Sequence, residues 1–124
     1  MHAILFSLLL SLQVNNLQLD TNRKLLLLAA PNEPLVGQQL QLLQQDSAGL
    51  EERDILVQVV DPDDRLYREY KIAAGIPFTV ILIGKDGGEK YRSAKPVTSA
   101  HLFALIDAMP MRKAEIKMKK QTRK

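Results

Sequence analysis

The stretch GIPFTVILIGKDGG, residues 75–88, decides the fold of this chain. Its β-branched and aromatic run, Phe78–Gly84, predicts the strongest strand in the sequence. Asp86 and Gly87 supply the chemistry of a tight hairpin turn, so Glu89–Ser93 is predicted to pair antiparallel with that strand. The charged residues of Glu89–Ser93 indicate that it lies at the edge of the sheet.

Upstream of this hairpin, two further strands flank a helix. The apolar run Lys24–Ala30 predicts a strand buried on both faces, closed by Pro31. In Leu35–Gln45 the apolar residues recur at helical spacing, with Pro34 suited to the first turn. The β-branched run Ile55–Val60 predicts the next strand. The order strand, helix, strand predicts a parallel βαβ unit.

Two more helices complete the pattern. Arg65–Ile72 predicts two helical turns before the loop at Gly75, and Ala100–Met109 predicts a final helix capped by Thr98 or Ser99. The chain is therefore predicted to be an α/β protein in which flanking helices cover a central, mixed four-stranded sheet. Its element order is β-α-β-α-β-β-α.

This order, with Gly-Ile-Pro directly before the third strand, resembles the thioredoxin fold. The chain also resembles the DUF4174 family, which is thioredoxin-like and similar to the repeated domains of coiled-coil domain-containing protein 80. The segments that carry this second resemblance are Leu25–Pro31, Gly49–Asp54, Phe78–Gly88 and Lys95–Met111. The resemblance covers about residues 23–113 and implies a fold, since no molecular function is established for the family.

In the thioredoxin fold a cis-proline precedes the third strand and faces the turn after the first strand, and Gly75–Thr79 resembles that signature. The sequence leaves the isomer of the Ile76–Pro77 bond open. Redox members of the fold carry Cys-x-x-Cys in that turn, whereas this chain has Ala30–Pro34 there and contains no cysteine. Neither Asn32 nor Glu33 can replace a thiolate as a redox nucleophile. Thiol-based redox catalysis is therefore excluded.

The same turn is a candidate binding site. Free N–H groups at the start of the following helix, beside the proline loop, would suit a peptide or an anion. The predicted binding residues are Asn32, Glu33, Ile76 and Pro77, and the alternative is a plain loop. We predict no catalytic residue, metal or cofactor. The acidic turn Asp61–Asp64 lacks the spacing of a calcium loop and is typical of a helix cap.

Charge is concentrated at the C-terminus. Residues 111–124 carry a net charge of +6, against +3 for the whole chain, which leaves −3 for residues 1–110. No basic stripe with interleaved aromatic residues is present in that acidic body, so nucleic-acid binding is not expected. We expect residues 112–124 to be a basic tail with no core to join, either solubilising or in weak contact with anionic lipid or acidic polymer.

The N-terminus begins with an apolar run of roughly ten residues, too short to span a bilayer but typical of a secretory signal peptide. No basic residue precedes this run and no small-x-small cleavage site follows it. The alternative is an N-terminal amphipathic helix packed on the domain. We predict a signal peptide in residues 1–20, a thioredoxin-like domain in residues 23–111, and a periplasmic or secreted location, with the cytoplasm as the alternative.

Together these features predict a non-catalytic, exported binding module with a protein or peptide partner. One alternative is a non-thiol or partner-assisted oxidoreductase related to peroxiredoxin-like proteins. The other is scaffolding of an envelope or matrix through the basic tail.

Overall fold

The structure, a computed structural model, describes residues 21–122. The predicted signal peptide lies outside the described residues. Between residues 21 and 122, no helix is both long enough and apolar enough to cross a membrane.

The described chain forms four strands and five helices. The strands are β1 (Arg23–Ala29), β2 (Ile55–Val60), β3 (Phe78–Ile83) and β4 (Glu89–Ser93). The helices are α1 (Pro34–Gln44), α2 (Ser47–Glu52), α3 (Leu66–Glu69), α4 (Ser99–Asp107) and α5 (Pro110–Thr122). All four predicted strands are confirmed.

The strands form one mixed sheet in the order β2-β1-β3-β4. Strand β1 pairs parallel with β2 and antiparallel with β3, and β4 pairs antiparallel with β3. The predicted mixed sheet, with β4 at its edge, is confirmed. Leu28 pairs with Val60, and Ala29 pairs with Phe78. The ends of β1 and β2 therefore meet the beginning of β3 at one edge of the sheet.

Apolar side chains fill both faces of the central strands. Leu25 and Leu27 pack with residues of α1 and α4 on one face, whereas Leu26 and Leu28 pack on the other face with residues in and after α3. Successive strand residues point to opposite faces. A strand covered on both faces therefore has a continuous apolar run, which is the pattern that predicted β1.

A buried glutamine joins α1 to the loop before α4. Gln39 Oε1 accepts a hydrogen bond from the Val97 amide, and Gln39 Nε2 donates one to the Val97 carbonyl, both at 2.8 Å. Thr98, the next residue after Val97, caps α4: its hydroxyl oxygen accepts a hydrogen bond from the His101 amide at 3.1 Å. The predicted cap by Thr98 is confirmed, and Gln39 fixes where this capped helix starts.

The structure differs from the sequence-based expectation after α1. The sequence predicts a helix that ends at Gln45 and no further helix before the strand Ile55–Val60, but Ser47–Glu52 form the short helix α2. An added Cβ on Gly49 would lie 2.5 Å from Cε2 of Phe103 in α4, and the Arg53 guanidinium lies 4.0 Å from the centre of that ring. Helix α2, which the local sequence did not predict, therefore packs closely against Phe103 of α4.

The C-terminus also differs from expectation. Residues 110–122 form helix α5, and Arg112 within it is only 1% exposed. The expectation of a tail with no core to join is wrong for these residues. The sequence did not predict this helix because charged side chains, and not an apolar stripe, attach α5 to the body.

Candidate functional site

A cavity of about 380 Å³ opens where the ends of β1 and β2 meet the start of β3. Three segments of the chain form it: the β1–α1 turn, the stretch from β2 into α3, and the loop before β3. Its lining residues are Ala30, Glu33, Pro62, Tyr67 and Ile72–Pro77. The cavity is mostly apolar, with a few polar groups, which is typical of a binding site.

Glu33 has two structural tasks at this site. Its carboxylate caps α1 by accepting a hydrogen bond from the Leu35 amide at 3.4 Å, and its carbonyl accepts one from the Val36 amide at 3.1 Å. Pro34 has no amide hydrogen. The start of α1 therefore offers a carboxylate in place of the free N–H groups expected there. This arrangement favours a ligand that donates hydrogen bonds or carries positive charge over an anion.

The loop before β3 presents its apolar groups to solvent. All residues of Ala73–Pro77 are exposed, and Ile76 retains 41% exposure. Gly75 has a φ of +87°, a conformation that residues with a side chain adopt at a cost.

The bond before Pro77, whose isomer the sequence left open, is trans, as is every peptide bond between residues 21 and 122. Trans is the lower-energy form even before proline. The Ile76 amide donates a hydrogen bond to the Ala73 carbonyl at 3.4 Å and so closes a turn. The trans bond before Pro77 leads from this turn into β3.

Tyr67 supplies a polar group to an otherwise apolar wall. Burial raises the pKa of its phenol, and the neighbouring negative charge of Asp61 raises it further. The phenol is therefore protonated at neutral pH and can donate a hydrogen bond.

The structure brings together three of the four predicted binding residues. Glu33, Ile76 and Pro77 line the cavity, whereas Asn32 is exposed and lies outside its lining. Sequence reasoning missed Pro62 and Tyr67. Their position directly after β2 was the available signal, because parallel strands deliver their following loops to the same edge of a sheet.

The acidic turn after β2 leads into α3, whose N-cap residue is Arg65 and has no side-chain capping hydrogen bond. Asp64 Oδ1 accepts a hydrogen bond from the Leu66 amide at 2.9 Å, where α3 begins. Within the described part of the chain, no group of three acidic or histidine side chains is arranged to hold a metal ion.

A network of charged side chains lies at the opposite edge of the sheet. We call it the ionic cluster. It comprises Arg23, Arg53, Lys85 and Arg112 with Glu52, Asp54, Asp107 and Glu115.

Glu115 connects α5 to the sheet. Its carboxylate lies 3.3 Å from Arg23 Nη2 at the start of β1 and 2.7 Å from Lys85 Nζ after β3, and Lys85 also reaches Asp54 at 2.9 Å. Burial opposes ionisation of Glu115, but hydrogen bonds from Lys85 and Arg23 outweigh it and hold its pKa below the ordinary value. Glu115 is therefore a carboxylate at neutral pH.

Asp107 connects α4 to the same cluster. The Arg53 guanidinium binds both of its oxygens, at 3.0 and 2.8 Å, and Arg112 Nε binds it at 3.1 Å. Hydrogen bonding by Arg53 is the main cause that lowers the Asp107 pKa, with Arg112 adding to it. The cluster joins residues far apart in the sequence, and no local pattern predicted it.

Comparison with solved structures shows thioredoxin folds. Thioredoxin-2 of the malaria parasite, described as a component of its protein secretion machinery, is similar with a TM-score of 0.58 and 20% identity, over 77% of this chain and 91% of that chain. Trxlp from Edwardsiella tarda has a TM-score of 0.53 and 22% identity, over 77% and 91%. Chloroplastic thioredoxin z has a TM-score of 0.53 and 18% identity, over 81% and 88%. These likenesses establish the fold alone.

Sequence comparison gives the family. No curated protein matches this chain. The family described as "Domain of unknown function (DUF4174)" matches residues 17–115, which include the cavity-lining residues and the ionic cluster as far as Glu115. The predicted resemblance is confirmed, and the chain belongs to the DUF4174 family.

Proposed function

We propose that this protein is a non-catalytic binding module that holds short, extended peptide segments in the cavity at Glu33, Ile76 and Pro77. The observation that carries the proposal is the joining of these residues with Tyr67 in one mostly apolar cavity, in a chain without cysteine. The cavity lies at the edge of the sheet where redox proteins of this fold carry their thiols, and it could bind a partner there.

The size and chemistry of the cavity suit a small part of a peptide. A volume of about 380 Å³ is at the lower end of ordinary ligand sites, enough for one or two side chains. Glu33 and Tyr67 are the ionisable groups among its described lining residues, and one is an acceptor while the other is a neutral donor. The preferred segment is therefore apolar with a donor group.

We expect peptides selected from a phage-displayed library on the immobilised protein to bind through this cavity. Ile76→Ser and Pro77→Ala should each weaken binding about tenfold or more, as loss of a buried apolar contact does. Isothermal titration calorimetry measures the effect. Leu40→Ser is the matched control, because Leu40 on α1 is 40% exposed, close to the 41% of Ile76, and lies outside the cavity lining.

Equal affinity for Ile76→Ser and the original protein would contradict the proposed site. Turnover of peroxide or of a disulfide by the purified protein would contradict the non-catalytic role and favour the oxidoreductase alternative.

The proposal includes export, which rests on the apolar run within residues 1–12. Cell fractionation followed by N-terminal sequencing of the native protein tests it. A shortened N-terminus in the exported fraction would support export, and an intact Met1 in the cytoplasm would contradict it.

A further inference from the structure

Helix α5 has one face attached to the body and one face open. Counting along the helix, Arg112, Glu115, Ile116 and Lys119 share the attached face. Arg112 is buried, and Lys119 Nζ donates a hydrogen bond to the Glu52 carbonyl at 3.2 Å. The ionic cluster therefore fixes the rotation of α5 about its own axis.

The open face carries two rows of side chains. Lys113, Lys117 and Lys120 recur at i, i+4 and i+7 along one side of this face, and none of them forms an ion pair with a described residue. Met111 and Met118 recur at i and i+7 along the other side, and Met118 is 67% exposed. The two rows flank the open face on opposite sides, with Ala114 and Gln121 between them. A helix that holds both exposed cations and exposed apolar side chains away from the body can lie on a lipid surface.

The apolar row continues into the body. A cleft of about 280 Å³ beside the start of α5 is lined by Met109, Pro110 and Met111, and its charged lining residues Lys85 and Lys90 are paired with carboxylates. Met111 of the open face is thus part of a larger apolar surface.

We propose that the open face of α5 docks on the surface of an anionic phospholipid bilayer. Charge complementarity is the first argument, since Lys113, Lys117 and Lys120, which pair with no carboxylate within residues 21–122, lie in a segment with a net charge of +6 on a body of −3. The exposed methionines are the second, because a dissolved polyanion gains nothing from them, whereas the boundary between headgroups and acyl chains takes up apolar side chains. A bilayer therefore fits this face better than an acidic polysaccharide or a nucleic acid does.

Docking in this orientation leaves the cavity free. The ionic cluster and α5 lie at the edge of the sheet where β1 begins, and the cavity lies where β1 ends, about 20 Å away for a strand of seven residues. The docked helix and the peptide site would therefore lie at opposite ends of β1.

The test uses the full chain with vesicles of phosphatidylcholine, either pure or mixed with phosphatidylglycerol. We expect binding to the mixed vesicles alone in a co-sedimentation assay, and a decrease with added salt. The variant Lys113→Gln/Lys117→Gln/Lys120→Gln should bind about a hundredfold more weakly, at about fivefold for each lysine removed near such a surface. The charge-matched control is Arg65→Gln/Arg68→Gln/Lys95→Gln, three exposed cations outside α5, and it should keep most of the binding.

A second measurement separates lipid from dissolved polyanions. Since the chain has no cysteine, Met118→Cys carries a single environment-sensitive fluorophore. Its emission should shift to the blue on mixed vesicles and should not shift on heparin or duplex DNA. Retained helical circular dichroism in every variant shows that the fold is intact.

Three results would overturn the proposal: no binding to mixed vesicles, equal loss of binding in the two triple variants, or the same blue shift on heparin as on lipid. None of these results bears on the peptide cavity, whose test uses other residues.

Discussion

At Glu33, one residue changes the chemistry expected of the site. The start of a helix ordinarily offers free N–H groups to an anion. Here the Glu33 carboxylate accepts from the Leu35 amide, and the Glu33 carbonyl accepts from the Val36 amide. The sequence identified Glu33 as a ligand-binding residue. In the structure Glu33 also accepts hydrogen bonds from the N–H groups that were expected to bind the ligand. The identity of the residue was predictable, but its hydrogen bonds depended on the turn conformation.

Two glycines provide a test at the same scale. We expect Gly37→Ala to raise the free energy of unfolding by about 1 kcal/mol, because alanine favours a helix and an added Cβ meets nothing within 4 Å. We expect Gly49→Ala to lower it by about 1 kcal/mol, because the Cβ would lie 2.5 Å from the Phe103 ring and overpacking outweighs the helix preference. Urea unfolding of both variants measures the difference. A rise in both would show that Phe103 moves aside freely.

At the scale of elements, patterns predicted those whose burial follows from their own sequence. Strands β1 and β3 are covered on both faces, so their apolar runs are continuous and identified them. Helix α1 presents an apolar stripe and was also predicted. Helices α2 and α5 have no comparable stripe, and their positions depend on Phe103 and on the ionic cluster. Contacts between distant residues left no local signal for sequence reasoning to find.

The attachment of α5 to the body should depend on pH. Asp107 and Glu115 have native pKa values below the ordinary range, so their ionised forms stabilise the folded state. This contribution is present in full above the pKa values of the unfolded chain. It is lost as pH falls below about 4.5 and through the lower native values. We expect the free energy of unfolding to be level around neutral pH and to fall in acid.

Urea unfolding at a series of pH values measures this dependence. Asp107→Asn should be less stable at neutral pH and should lose less stability on acidification, because one of the titrating groups is gone. Asp63→Asn, at an exposed position outside the cluster, is the matched control and should keep the original profile. A profile for Asp107→Asn parallel to that of the original protein would contradict the assigned role of this carboxylate.

For the whole molecule, the sheet order explains why the candidate site was partly predictable. Two parallel strands and one antiparallel neighbour bring the β1–α1 turn, the β2–α3 turn and the loop before β3 to one edge. Glu33, Ile76 and Pro77 could be named from the fold that the sequence resembles. The trans bond before Pro77, the place of Asn32 outside the cavity and the opposite ionic edge required the three-dimensional structure.

The position of Glu115 also determines how short an independently folding version of this chain can be. A boundary after Met111, which sequence composition suggests, would remove Glu115 and Arg112 together. Arg23, 1% exposed at the start of β1, would then lose its carboxylate partner. An uncompensated buried charge is among the most costly defects a fold can carry. We therefore expect the smallest self-sufficient unit to extend, on its C-terminal side, through the first turns of α5.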